Sequence, residues 1–160
     1  MFAKRALPLL AAITLVAPSV AQEVEPPAPW AQMTGKNAGA AGTCAGLDGS
    51  DTDFDCYMVR CDAGQLVFVF QPDMDADKVH GMNVTIGNGY AEKIMFDHMG
   101  HGESTIDLAS HPRFLAAMVA AKPGDWANWE TVDAEFEYTT FFELTDAGKR
   151  IKDVQKTCKR

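Results

Sequence analysis

Apolar residues in the centre of the chain follow a pattern that predicts a β-hairpin. Residues 56–61 read Cys-Tyr-Met-Val-Arg-Cys, and residues 66–70 read Leu-Val-Phe-Val-Phe. A short segment with Gly64 separates these runs, as is typical of two strands joined by a tight turn. The second run is apolar at every position, which predicts a central strand that is buried on both faces.

Two further segments also show strand periodicity. Apolar and polar residues alternate over 82–86, the chain returns over 90–96, and Asn88–Gly89 between them is a strong hairpin signal. Residues 132–144 alternate in the same way, which predicts a long strand with one wet face and a bend or break near 139–140. Residues 35–46 and 98–103 are rich in glycine and predict loops.

Helical periodicity predicts two short helices. The first covers 112–121, with Ser110 as its cap and a proline in its first turn. The second begins at Thr145 or Asp146 and carries an apolar stripe that reaches Cys158. Together with the strands, these helices predict an α+β fold, mainly an antiparallel β-sandwich or curved sheet.

The four cysteines predict two disulfide bonds. Five residues of extended strand span about 16 Å, whereas the Cα atoms of bonded cysteines are usually less than about 7 Å apart. Cys56 and Cys61 therefore pair with Cys44 and Cys158, which leaves two connectivities. We favour Cys44–Cys56, which closes a short acidic loop, and Cys61–Cys158, which ties the last helix to the core.

Three parts follow one another along the chain. Residues 1–21 have a charged start, an apolar run and a small-residue cleavage site, which predict a signal peptide. Residues 22–34 form a Pro-rich leader, in which Trp30 is where packing is expected to start. Residues 35–160 form a single α+β domain. We therefore expect a periplasmic or secreted protein, where an oxidising compartment favours disulfides over a zinc site.

The charge of the chain narrows the choice of partner. The net charge is −8, and removal of residues 1–21, which contain two basic and no acidic residues, changes it to −10. Such an excess of acid argues against nucleic acid or an anionic membrane and permits a cationic protein. The oligomeric state stays open.

A cluster of soft ligands suggests a metal site as an alternative function. His98, Met99 and His101 are close in sequence, and the hairpin 82–96 would bring His80 toward them. Imidazole and thioether groups suit copper, and imidazole suits zinc. The spacing matches no metal motif, and the alternative interpretation is that these histidines are solvated loop residues.

Catalytic residue types also occur together, at His101, Glu103 and Ser104. No nucleophile motif surrounds Ser104, and adjacency in sequence is not the geometry of a triad. Disulfide-bonded cysteines offer no free thiol. We therefore predict that the protein is not an enzyme and needs no cofactor.

The predicted partner contacts are aromatic and acidic. Trp126 and Trp129 follow a Pro-Gly-Asp segment, where paired indoles in a loop anchor a partner, stack on a sugar or cover the core. Asp51 and Asp53 lie in an acidic turn region, 48–55. The leading interpretation is a non-catalytic protein-interaction module. It would act as an inhibitor of a cationic envelope enzyme, such as a lysozyme, or as a host-interaction factor.

The C-terminal third of the chain resembles a known family. The residues that carry the likeness are Ile-Asp-Leu at 106–108, Leu115 and Met118 in a helix, an alternating strand, Phe-Glu-Leu at 142–144, and Val154 before Cys158. This pattern is similar to the end of the invasion-associated locus B family of alphaproteobacteria. The resemblance implies a small, β-rich, exported and non-enzymatic protein linked to entry into host cells. It spans residues 103–158 and implies no site residue.

Overall fold

The structure, a computed structural model, describes residues 29–46, 54–72, 78–87, 89–132 and 137–158. The predicted signal peptide, Asp51 and Asp53 lie outside the described residues. In chain order the strands are β1 (Ala31–Gln32), β2 (Ala41–Gly46), β3 (Phe54–Asp62), β4 (Gln65–Gln71), β5 (Gly81–Ile86), β6 (Tyr90–Met95), β7 (His98–Gly100), β8 (Glu103–Asp107), β9 (Trp126–Thr131) and β10 (Thr139–Glu143). A short 3-10 helix covers Gly35–Asn37.

These strands form two antiparallel sheets, which confirms the predicted α+β fold. The first has six strands in the order β1-β2-β3-β4-β8-β7, and the second has four in the order β10-β9-β5-β6. The run that is apolar at every position is β4, in the interior of the larger sheet, where Phe68, Val69 and Phe70 are buried. Burial on both faces explains why this strand does not alternate.

The central hairpin and both disulfides are confirmed. Ala63 and Gly64 form the turn with φ of 49° and 84°, the left-handed conformation that a two-residue hairpin turn requires. Cys44 and Cys56 lie opposite each other on β2 and β3 and are bonded. Cys61 and Cys158 form the second bond, with Cα atoms 5.3 Å apart. The extended strand thus directs its two cysteines to different partners.

The main core lies between the inner faces of the two sheets, and its centre is aromatic. Trp129 stacks on Phe68 with ring centroids 5.0 Å apart, and Phe142 stacks on Tyr57 at 4.0 Å. Trp30 is buried as predicted, and its indole Nε1–H donates to a backbone oxygen of β10. The folded domain therefore includes the last residues of the segment predicted as a leader.

Both predicted helices are present, as α1 (Pro112–Ala120) and α2 (Ala147–Cys158). Phe114 and Met118 of α1 are buried as its apolar stripe predicts. The prediction that Ser110 caps α1 is wrong: the residue at the cap position is His111, and its side chain makes no capping hydrogen bond. Neither helix of the described ranges is long and apolar enough to cross a membrane.

Two of the predicted loops contain strands. Residues 35–46 include β2, in which Gly42 is required because a Cβ there would lie 2.2 Å from the backbone oxygen of Tyr57. Residues 98–103 include β7 and the start of β8, joined by a turn at His101 and Gly102 with φ of 56° and 77°. Glycine content predicted loops here, but close strand pairing and tight turns also need glycine.

The region predicted as one long strand has a different layout. The strand β10 begins at Thr139, and Phe142 faces inward as predicted. Residues 133–136 of the predicted strand lie outside the described residues. The strand before it, β9, begins at Trp126, in a segment predicted as loop. Because β9 begins at Trp126, the side chain of Trp126 reaches the surface and that of Trp129 is buried.

Candidate functional site

Two aromatic side chains meet on the outer face of the four-stranded sheet. Trp126 of β9 and Phe141 of β10 have ring centroids 5.5 Å apart, with an interplanar angle of 59°. Trp126 is 39% exposed and Phe141 is 50% exposed. Among the large hydrophobic residues that the structure describes, only Met95 is comparably open to solvent. Paired exposed rings of this kind are common contact points for a partner.

Strand register explains why these rings face outward. Phe141 pairs with Asn128 and Glu143 pairs with Trp126, so Trp126 and Phe141 are diagonal neighbours on one face. Phe142, the next residue along β10, points into the core. Phe141 thus occupies the polar parity of an alternating strand. An apolar residue at that parity is the signal in the sequence that indicates this site.

The charges around the aromatic pair are mainly acidic. Glu143 is opposite Trp126 in the register, and Glu130 lies on the other side of the pair, next to Asn128. The basic residue that the register places on this outer face, Lys93, is on β6 at the opposite edge of the sheet. Three strand spacings, roughly 14 Å, separate it from β10. The aromatic pair therefore lies between two carboxylates, with Lys93 well away from it.

Within the part of the chain that the structure describes, one edge of the β10 backbone has no neighbouring strand. Leu144 N–H donates to Asp125 O at 2.8 Å, and Tyr138 O accepts from Thr131 N–H at 2.9 Å. In an antiparallel pair the intervening even-numbered residues bond to the same neighbour, so the odd-numbered residues present N–H and C=O to the other side. No strand of the described ranges pairs with Thr139 or Phe141 on that side.

Trp129 is not a partner contact, and that prediction is wrong. It is 0% exposed, because it lies three residues after Trp126 on the same strand and therefore faces the opposite side of the sheet. The two indoles do not form a pair in a loop. Of the predicted partner contacts, Trp126 is on the surface, and Asp51 and Asp53 lie outside the described residues.

The predicted metal ligands lie on β7, in the β7–β8 turn and just before β5. His98 is exposed on β7, whereas the next residue, Met99, packs against the main core, because neighbours in a strand face opposite sides. His101 is exposed in the β7–β8 turn, and His80 is exposed just before β5. Within the described ranges, no three His, Cys, Asp or Glu side chains form a group that could hold a metal. The copper or zinc site at His80, His98, Met99 and His101 therefore stays a prediction.

The three catalytic residue types are also separated. Ser104 is buried on the inner face of β8, while Glu103 faces outward and is bound by Arg60 through Nη1 and Nη2 at 2.9 and 2.6 Å. The hydrogen bonds from Arg60 lower the pKa of Glu103. His101 is on the surface turn. Glu103 thus binds an arginine instead of orienting a histidine.

A buried polar cluster lies on the inner face of the sandwich. Asp55 is fully buried, and the hydroxyls of Tyr57 and Tyr138 both donate to its Oδ2. Tyr57 also contacts the hydroxyl of Thr140. The pKa of Tyr57 is raised well above its ordinary value, mainly by burial and secondly by the nearby Asp55 carboxylate. The cluster joins the two sheets, and Asp55 is a core residue instead of a turn residue.

A cavity of about 280 Å³ opens beside the second disulfide. Leu66, Leu108 and Leu115 line it, together with Gln155 and Cys158. Of the predicted site residues, only Cys158 borders this cavity. The volume of the cavity is just below the range of about 300–1,000 Å³ that is typical of small-molecule pockets.

The comparisons with known proteins add no relative to this picture. No family model, no curated protein and no solved structure matches the chain.

Proposed function

We propose that this chain is an exported, non-catalytic module that binds another protein through the Trp126–Phe141 pair. The observation that carries the proposal is the contact between these two rings at 5.5 Å, with both of them open to solvent. Export is supported by the two disulfides, which are typical of proteins outside the reducing cytoplasm.

The rings of Trp126 and Phe141 leave apolar area in contact with water. An aromatic side chain buries about 150–250 Å² when it is covered, and tryptophan is enriched among residues that dominate binding energy. Neither ring is required by the core, because Trp129 and Phe142 fill the inner face behind them. A partner that covers the pair would therefore gain apolar burial at no cost to the fold.

Charge supports a cationic partner. The chain has a net charge of −8, and Glu130 and Glu143 lie on either side of the aromatic pair. One specific form of the proposal is an inhibitor of a cationic envelope enzyme such as a lysozyme. Another, which the resemblance to the invasion-associated locus B family supports, is a factor that binds a host surface protein.

The experiment compares capture by two matched variants. The disulfide-bonded protein, starting at Gln22, is immobilised and exposed to envelope extract, alongside Phe141→Ser and the control Thr85→Ala. Thr85 is exposed on the same sheet face but on β5. We expect one or more proteins to be retained by the native chain and by Thr85→Ala and lost with Phe141→Ser. Identical retained proteins for the native chain and both variants would contradict the proposal.

The lysozyme form has its own test. Lysozyme activity and complex formation are measured at low salt with the native chain and with Phe141→Ser. Inhibition that is lost in the variant supports this form. No inhibition and no complex would remove the lysozyme form.

A further inference from the structure

We propose that the partner adds an extended segment to the free edge of β10, and that a lysine or arginine of this segment lies over the Trp126–Phe141 pair. This inference rests on the proposed function and specifies its binding mode. The free backbone groups would hold the segment, while the two rings and the flanking carboxylates would select its side chains.

The outer edge of β10 is unpaired within the described ranges. Thr139 and Phe141 direct their N–H and C=O away from β9, as the alternation of hydrogen bonds along β10 requires. Exposed edges normally carry a proline, a lysine or a bulge that prevents pairing. The sequence of β10, Thr-Thr-Phe-Phe-Glu, contains neither proline nor lysine, and its register with β9 is continuous.

Trp30 sets one end of the available edge. Its backbone N–H donates to Thr145 O at 3.0 Å, and its indole Nε1–H donates to Glu143 O at 3.1 Å. Among the described residues, the stretch of β10 with unpaired outward backbone groups therefore runs from Thr139 to Phe141. It offers about four backbone hydrogen bonds, two from each residue. This length suits a short extended segment better than a whole sheet.

The sheet face next to this edge carries the aromatic pair and two carboxylates. In strand addition, side chains of alternate residues in the added segment lie on the same face as Phe141. A basic side chain there would meet the faces of two aromatic rings, which attract cations. It would also lie within reach of Glu130 or Glu143, which the register places on either side of the pair. A basic extended segment is thus complementary in both backbone and charge.

The test uses four synthetic peptides of six residues with blocked ends. The parent is Thr-Arg-Thr-Arg-Thr-Arg, and the charge control replaces each arginine with glutamate. Two further versions are N-methylated, one at every arginine and the other at every threonine. Binding is followed by tryptophan fluorescence, in which Trp126 is the exposed indole of the described part, and by amide shifts of Thr139 and Phe141.

Strand addition predicts that the two N-methylated peptides bind with different affinities. An added strand uses the N–H groups of alternate residues only, so one N-methylated peptide should bind at least about tenfold more weakly than the other. The glutamate peptide should also bind at least about tenfold more weakly than the parent, with the difference shrinking at high salt. Equal affinity of the two N-methylated peptides, or of the arginine and glutamate peptides, would overturn the inference.

Variants separate this inference from the proposed function. Phe141→Ala should weaken binding of the arginine peptide. Lys93→Gln, on the far edge strand, should leave the affinity for this peptide unchanged. Near-ultraviolet circular dichroism checks that both variants are folded. If the N-methylated peptides bind equally while envelope capture still depends on Phe141, strand addition fails and the proposed function stands. If neither peptide binding nor capture depends on Phe141, both fail.

Discussion

Phe141 and Phe142 are consecutive residues of β10 with opposite environments: Phe141 lies half in solvent against Trp126, whereas Phe142 is fully buried against Tyr57. Replacement of Phe142 with alanine should therefore lower the free energy of unfolding by about 3–5 kcal/mol. The same replacement of Phe141 should cost less than about 1 kcal/mol, the range of a cross-strand pair. Urea unfolding of the two variants measures both values. A large loss for Phe141→Ala would show that this ring serves the fold.

The buried Asp55 cluster predicts a second stability effect. Tyr57→Phe removes one of the hydroxyls that bind the Asp55 carboxylate and should lower the free energy of unfolding by about 1–3 kcal/mol. Because the pKa of Tyr57 is raised in the folded state, its contribution is complete below the unfolded value near 10 and is lost as pH rises through the folded value. Unfolding curves between about pH 8 and 12 measure this. An unchanged alkaline limb in Tyr57→Phe would contradict the assignment.

The Arg60–Glu103 pair predicts the opposite pH dependence. Hydrogen bonds from Arg60 lower the pKa of Glu103, so its contribution is present above the unfolded value near 4.3 and is lost as pH falls through the folded value. Glu103→Gln should cost about 1–3 kcal/mol near pH 7. The difference from the native chain should shrink as pH falls below about 4. A difference that is constant with pH would contradict the ion-pair account.

The two disulfides should contribute unequally to stability. Cys61–Cys158 joins residues 97 apart in sequence, whereas Cys44–Cys56 joins residues 12 apart. The chain-entropy model gives about 4–5 kcal/mol for the long loop and about 3 kcal/mol for the short one. Thermal unfolding of the two double-serine variants compares them. If loss of the Cys44–Cys56 bond destabilises the protein more than loss of the Cys61–Cys158 bond, native-state contacts outweigh loop entropy.

The sequence predicts most of the fold because hydrophobic periodicity and the spacing between Cys56 and Cys61 can be read from short stretches of the chain. The extended run from Cys56 to Cys61 was enough to exclude a bond between these two cysteines, and the structure has the favoured pairing. The alternation in 139–144 likewise predicts that Phe142 is buried. Segments rich in glycine were the exception, because Gly42 and Gly102 serve a close strand contact and a tight turn instead of a loop.

The candidate site is less visible in the sequence, since it depends on where β9 starts. A loop over 126–129 would expose both indoles, whereas a strand from Trp126 buries Trp129 and leaves Trp126 outside. Pairing of β9 with β10 then brings Phe141 to Trp126, a contact that strand period alone does not give. The free edge of β10 depends on the order of strands in the sheet, which no local pattern encodes.

Site-specific photocrosslinking in living cells tests the central claim most directly. A photoreactive phenylalanine analogue is placed at position 141, beside Trp126, or at position 93, on the opposite edge strand of the same sheet. The account predicts a crosslinked protein partner from position 141 and none from position 93. A partner crosslinked from position 93 with none from position 141 would contradict it.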